Sequence, residues 1–273
     1  MMLDAGFRSK TQPRAEGEAR IGVVRRKGAT RLARLRQQGS AKCLIPRVPG
    51  RIEAVFLNTA GGLTGGDRLT YAAEVSGGAT LTLTTQAAER LYRAQPDETA
   101  HVTTQLSLAP GASLDWLPQE TIAFDCCALS RRLEIDMAED AHLLAVEPLV
   151  LGRTAHGERV ESAYLLDRWR IRRAGRLIYA DALHLSGTVA EIVSRPGLFA
   201  GHLAAATLVY VAPDAEARLD EARALLPETA GASAWNGLLS VRLLAPDGAA
   251  LRRALLHFLS HFRAAPLPRV WTM

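Results

Sequence analysis

The chain has 273 residues, 48 % apolar and 22 % charged, whereas a disordered chain would carry less apolar content and a larger net charge. Its formal net charge of +5 is unevenly spread: residues 1–51 hold 13 Lys/Arg against 3 Asp/Glu, and the remainder holds 20 against 25. Three cysteines exclude a disulfide framework and suit a reducing compartment, and no run approaches the roughly 18 apolar residues of a membrane helix.

Residues 1–18 are polar and include Pro13 and Gly17, so a flexible tail is expected ahead of one domain, 19–273. The tail has no apolar stretch of leader length, and a cytoplasmic protein is expected. From Ala19 onward, short apolar runs follow at close spacing. IGVV (21–24), IEAVFL (52–57), RLTYAAEV (68–75) and ATLTLTTQ (79–86) read as strands. In the last of these, Leu81 and Leu83 point one way and Thr80, Thr82 and Thr84 the other, the alternation of a half-buried strand. HVTTQLSL (101–108) stops at Pro110-Gly111, and SLDWL (113–117) stops at Pro118. TIAF, LEIDM, HLLAVEPLVL and ERVESAYLLDRWRIRR continue the series to about residue 173, and Ala174-Gly175 turns the chain into RLIYADALHL (176–185). No helical stretch separates these runs, so parallel βαβ units are not expected, and no repeat of 20–50 residues is visible.

The last third changes character. Asp214 is placed to cap a helix running to residue 226, with Leu219, Ala222, Leu225 and Leu226 on its apolar face. LLSVRLLA (238–245) reads as a strand. Asp247 is placed to cap a second helix over 248–263, whose Leu251, Leu255, Phe258, Leu259 and Phe262 share one face. APLPRVW, with two prolines, is expected to be extended. The fold class is therefore mainly β: a large, single-domain, elongated β-rich fold with two C-terminal α-helices.

The search for chemistry is largely negative. The cluster Gly61-Gly62-Leu63-Thr64-Gly65-Gly66-Asp67 follows a strand but lacks a Gly-Lys-Ser/Thr ending and leads into a strand, not a helix N-terminus. No GxSxG elbow and no CxxC pair occurs, and Cys43, Cys126 and Cys127 are expected to be small packed side chains. His257 and His261 are spaced i, i+4, but HFLSH lacks the glutamate of HExxH, and His142, His156, His184 and His202 are scattered. Asp67, Glu120, Asp125, Glu147 and Glu158 lie near turns or strand ends and are the candidates for weak cation binding. In the basic arm, Arg31, Arg34 and Arg36 with Leu32 and Leu35 form one candidate basic strand face. There is no aromatic interleaving and no nucleic-acid-binding signature. The residues alone favour a binding or scaffolding role over catalysis. A nucleotide-dependent enzyme using loop 61–66 and a nucleic-acid-binding protein using the basic arm are the alternatives.

Several segments, in order, resemble one family. NTAGGLTGGDRL (58–69), TTQAAERLYR (84–93), LDWLPQETIAF (114–124), LVLGRTAHGE (149–158) and PLPRVW (266–271) are similar to signature stretches of the UreD (UreH) urease accessory proteins. Thr59-Ala60 stand where the family has two prolines, and Glu89-Arg90 replace its basic residue. The resemblance implies a non-catalytic metallochaperone scaffold in a heteromeric complex. It would bind urease apoprotein and recruit UreF and the GTPase UreG, with no tightly bound cofactor and with nickel present only in transfer through the complex, an internal tunnel being the route the resemblance implies. Neither nucleic acid nor a membrane is an expected partner. On that reading Gly61, Gly62, Gly65, Gly66 and Asp67 are a shaped functional loop, and Asp67, Glu120 and Glu147 contribute to a nickel conduit.

Overall fold

Apolar side chains at every second position need a second surface to cover them, and the chain supplies it by folding two sheets face to face. The computed structural model describes residues 13–153 and 156–272. The outer sheet has seven strands: β1 (Glu16–Arg26), β2 (Ala29–Gly39), β5 (Arg68–Val75), β8 (Ala100–Leu108), β11 (Ala128–Met137), β13 (Ser162–Arg173) and β14 (Arg176–Thr188). Its order is β14-β13-β11-β8-β5-β1-β2. The inner sheet begins with β3 (Ala41–Leu44), β4 (Ile52–Asn58), β6 (Thr80–Thr85), β9 (Ser113–Leu117) and β12 (His142–Leu151). It continues through β15 (Ala204–Val211), β17 (Leu238–Ala245) and β16 (Ala230–Trp235). Two short strands, β7 (Glu89–Leu91) and β10 (Thr121–Ala123), complete it, with β10 pairing both β12 and β7.

From β4 to β13 the chain passes back and forth between the sheets, so neighbours within each sheet run parallel. Each crossover between parallel strands is a strand of the opposite sheet, and no helix is required. Ile52 pairs with Leu81, Leu81 with Leu114 and Leu114 with Leu143, in steps of 29, 33 and 29 residues. The coil thus repeats in space, although turns of unequal length hide the repeat from the sequence. The ends of both sheets are antiparallel: β1 with β2, β13 with β14, and β12, β15, β17 and β16 in succession.

A third layer covers the far side of the inner sheet. It consists of α2 (Leu219–Ala224), α3 (Gly248–Phe262) and the 3-10 turn Arg269–Trp271, while α1 (Val189–Val193) closes one end of the sandwich. The Asp247 carboxylate accepts a hydrogen bond from the Ala250 N–H at 2.7 Å and caps α3 as expected. The five expected apolar residues of α3 are all buried. No helix among the described residues is long and apolar enough to cross a membrane.

Several expectations are corrected by this packing. Most of the expected tail lies outside the described residues, but Glu16, Gly17 and Glu18 belong to β1, paired on both sides. The basic arm is β2, where a bulge at Ala33 puts Arg31 on one face with Arg34 and Arg36 and leaves Leu32 and Leu35 on the other, so the five residues do not share a single face. Arg31 and Arg34 lie opposite Val24 and Gly22, and Leu32 and Leu35 opposite the buried Val23 and Ile21. The helix expected from Asp214 starts only at Leu219, because the Asp214 carboxylate accepts from the Tyr210 hydroxyl at 2.7 Å and caps nothing. β6 is covered on both faces, with Thr84 fully buried and its hydroxyl donating to the Leu117 carbonyl. The C-terminal PLPRVW is not extended throughout: Arg269–Trp271 form a helical turn that buries Trp271, whose Nε1 donates to the Leu117 carbonyl at 2.9 Å.

Candidate functional site

The glycine-rich segment 61–67 bridges β4 and β5 and lies across β7. Most of its backbone N–H groups are already committed. Leu63 donates to Arg90, Gly66 to Thr99, Asp67 to Thr64, and Gly61 to Asn58. The Asp67 side chain fixes the turn: one oxygen accepts from the Thr64 N–H at 2.8 Å, the other from the Ala15 N–H at 2.7 Å. Two glycines are required by close approach. A Cβ on Gly62 would fall 2.4 Å from the Tyr92 ring, and one on Gly65 would fall 2.7 Å from Cβ of Glu98. With the amides of Gly61, Leu63, Thr64, Gly66 and Asp67 spent within the turn, on β7 and on a neighbouring loop, the segment is a packed turn and lacks the row of free donors that cradles a phosphate.

Beneath this turn lies Glu89. Asn58 Nδ2 donates to its carboxylate at 3.1 Å and also to the Gly62 carbonyl at 3.1 Å. Burial pushes the Glu89 carboxyl up to about 7, with the Asn58 hydrogen bond opposing the shift and the Asp67 charge adding to it. Glu89 lines a narrow cavity of about 40 Å³ between the sheets, together with Leu63, Tyr71, Gln119, Arg131 and Glu147.

Arg131 and Glu147 also line a second cavity, of about 460 Å³, which opens between β14 and β16 beside Asp181 and Arg242. The two cavities therefore meet at this ion pair. Arg131 points inward from β11 and binds Asp167 of β13 in bidentate fashion, at 3.0 and 2.5 Å. Its Nη1 donates to the Thr121 hydroxyl at 3.1 Å, and its Nε lies 3.3 Å from Glu147 Oε2. Trp116 Nε1 donates to the other Glu147 oxygen at 3.1 Å, and Oε2 has no hydrogen-bond partner among the described residues. Burial raises the Glu147 pKa, and Arg131 opposes that rise. With Glu147 ionised, the two carboxylates around one guanidinium carry a net negative charge, which favours a cation entering from either side.

The expected site residues are thus not brought together. Asp67 holds the loop, Glu147 stands at the junction, and Glu120 faces a separate surface pocket of about 730 Å³, 3.4 Å from Arg252. Asp125 accepts from the backbone of Glu161 and Ser162 and pairs with Arg93, and Glu158 pairs with Arg153. Cys43 and Cys127 are buried, which pushes both thiols up to about 12, and all three cysteines are free. Among the described residues, no three His, Cys, Asp or Glu side chains converge in a metal-holding group.

The family model described as UreD urease accessory protein matches residues 15–272. The chain belongs to the UreD family. It is 48 % identical over 264 residues to "Urease accessory protein UreD" of Azorhizobium caulinodans, covering 95 % of this chain and 97 % of that one. It is 51 % identical over 261 residues to the protein of that name from Xanthobacter autotrophicus, with 94 % and 90 % coverage. The protein of that name from Rhizobium leguminosarum bv. trifolii is 47 % identical over the full length of both chains.

Sequence reasoning passed over the other residues of this UreD interior: Arg131, Asp167 and Glu89. A signal existed for two of them. Arg131 interrupts the inward series Leu129, Leu133, Ile135, and Asp167 interrupts Leu165, Trp169, Ile171. A charge at an inward position of an alternating strand needs a partner across the core.

Proposed function

We propose that this protein acts in urease maturation as a non-catalytic, cytoplasmic scaffold that binds urease apoprotein together with UreF and the GTPase UreG and passes nickel onward. The observation that supports this reading is the run of acidic groups through the interior of a chain of this family: Glu89 under the glycine turn, Glu147 and Asp167 at the junction, Asp181 at the open end. Carboxylate oxygens hold a divalent nickel ion less firmly than clustered imidazoles or thiolates. Burial of Glu89 and Glu147 raises their proton affinity, so protons compete with the ion. An ion entering would displace a proton, and one leaving would be replaced by it. Such a path transfers its cargo and does not trap it. Asp67 shapes the turn that roofs the path, and that turn, with Gly61, Gly62, Gly65 and Gly66, is the candidate partner contact. Glu120 would act at the surface, beside Arg252.

The test is expression of a complete urease operon in nickel medium with this chain intact or carrying Glu89→Gln with Glu147→Gln. Co-purification with UreF and urease is expected to persist, while urease nickel content and activity fall several-fold. Full nickel loading by the variant would discard the path. Failure of the intact chain to co-purify with urease subunits would discard the scaffold role.

A further inference from the structure

The solvent side of α3 carries a pair of side chains that the interior path does not use. His257 and His261 stand one turn apart, with ring centres 4.6 Å apart and ring planes inclined by 45°. Nδ1 of His261 lies 2.8 Å from the His257 carbonyl oxygen. A carbonyl only accepts, so this nitrogen carries the proton and the lone pair is left on Nε2. Metal-bound histidines are oriented by the same kind of backbone hydrogen bond.

The ring spacing suits joint coordination. Two imidazoles bound at a right angle on one ion, each through a bond of about 2.1 Å, have their ring centres about 4.5 Å apart. The helix beneath is held rigidly, with Leu251, Leu255, Phe258, Leu259 and Phe262 buried against the inner sheet. Little freedom is therefore left to lose on chelation. His261 stands in the last turn of α3, where the partial negative charge of the helix C-terminus favours a cation. Arg253 lies one turn before His257 and tempers the affinity by like charge. Arg263, just past the helix, is committed to Asp115.

We propose that His257 and His261 form a solvent-facing, two-imidazole site for a late first-row divalent ion such as nickel or copper, with water completing its coordination. The site needs neither Glu89 nor Glu147 and stands or falls separately from the interior path.

The test is calorimetric titration of the tag-free full chain with NiCl₂ and, separately, CuCl₂, paired with NMR of the histidine ring protons. One ion is expected to bind with selective broadening of the His257 and His261 signals, copper more tightly than nickel. His257→Ala and His261→Ala are each expected to weaken that binding at least tenfold and to leave the melting temperature without metal unchanged. His184→Ala, on β14 of the outer sheet, is expected to leave that binding intact. Unchanged affinity in either alanine variant, or broadening that spares both rings, would overturn the proposal.

Discussion

Along β8 and β11 of the outer sheet, buried and more exposed residues alternate, whereas β12 of the inner sheet is buried at every position after His142. The two sheets are built by the same coils and have the same parallel core, so strand propensity does not separate them. What separates them is the third layer. Residues after Ala245 return over the inner sheet and bury Leu144, Val146 and Val150 beneath α3 and Trp271. Among the described residues the outer sheet has no such cover, and its outward positions hold Arg68, Gln105 and Arg132. Parallel strands are usually covered on both faces. Here the outer set is held by the inner set through one face only.

The adjacent residues Arg131 and Arg132 give the sharpest test of this difference, because one points into the sandwich and the other to solvent. Arg131→Ala leaves Glu147 and Asp167 buried without a counter-charge and should cost about 3–5 kcal/mol in urea unfolding. Arg132→Ala should stay within about 0.5 kcal/mol. Equal losses would break the distinction between the two faces. Phe258→Ala, between α3 and the inner sheet, opens a cavity and should cost about 3 kcal/mol. Gln105→Ala on the outer sheet should cost almost nothing by the same measurement.

Glu89 offers a test through pH. Its pKa is raised from 4.5 to about 7 in the folded protein, so the folded state holds the proton more tightly than the unfolded state. Between these two values stability falls as pH rises, and the loss is complete above about pH 7. Glu89→Gln should flatten that fall and raise stability at pH 8 by about 2 kcal/mol, measured by urea unfolding across the pH range. A variant with the same pH profile as the intact protein would place Glu89 in contact with water. A smaller loss than at Phe258 is expected at the start of α3. Asp247→Ala removes the α3 cap and should cost about 1 kcal/mol, with faster amide exchange confined to the first turn.

Local patterns account for much of what was legible. The strand at LEIDM, the cap at Asp247 and the apolar stripe of α3 all appear where the sequence places them. Ala174-Gly175 turns the hairpin with φ of 48° and 78° at its two residues. Asn236-Gly237, a stronger hairpin signal, turns β16 into β17 in the same way, with φ of 50° and 72°. β15 and α1 went unread. β15 is rich in alanine, and α1 spans only five residues, too few for a periodic signal. The site was less legible than the fold. Glu147 was legible only as one of several acids near turns or strand ends, whereas it stands in the middle of β12, and nothing local indicated that its neighbour would be Arg131 of the other sheet.

By itself, the sequence determined the β-rich class, most strand positions, α3 and the family, because these rest on periodicity, caps and ordered motifs carried by contiguous residues. The tertiary structure alone decided which strands run parallel, which sheet is covered twice and which carboxylates share the interior. Those outcomes depend on contacts between residues about 30 or more positions apart, and no local propensity couples residues at that distance. Asp67 and Glu147 read alike in the sequence, as acids expected near turns or strand ends. In the fold, the first binds backbone amides at a turn, while the second faces a guanidinium where two cavities meet.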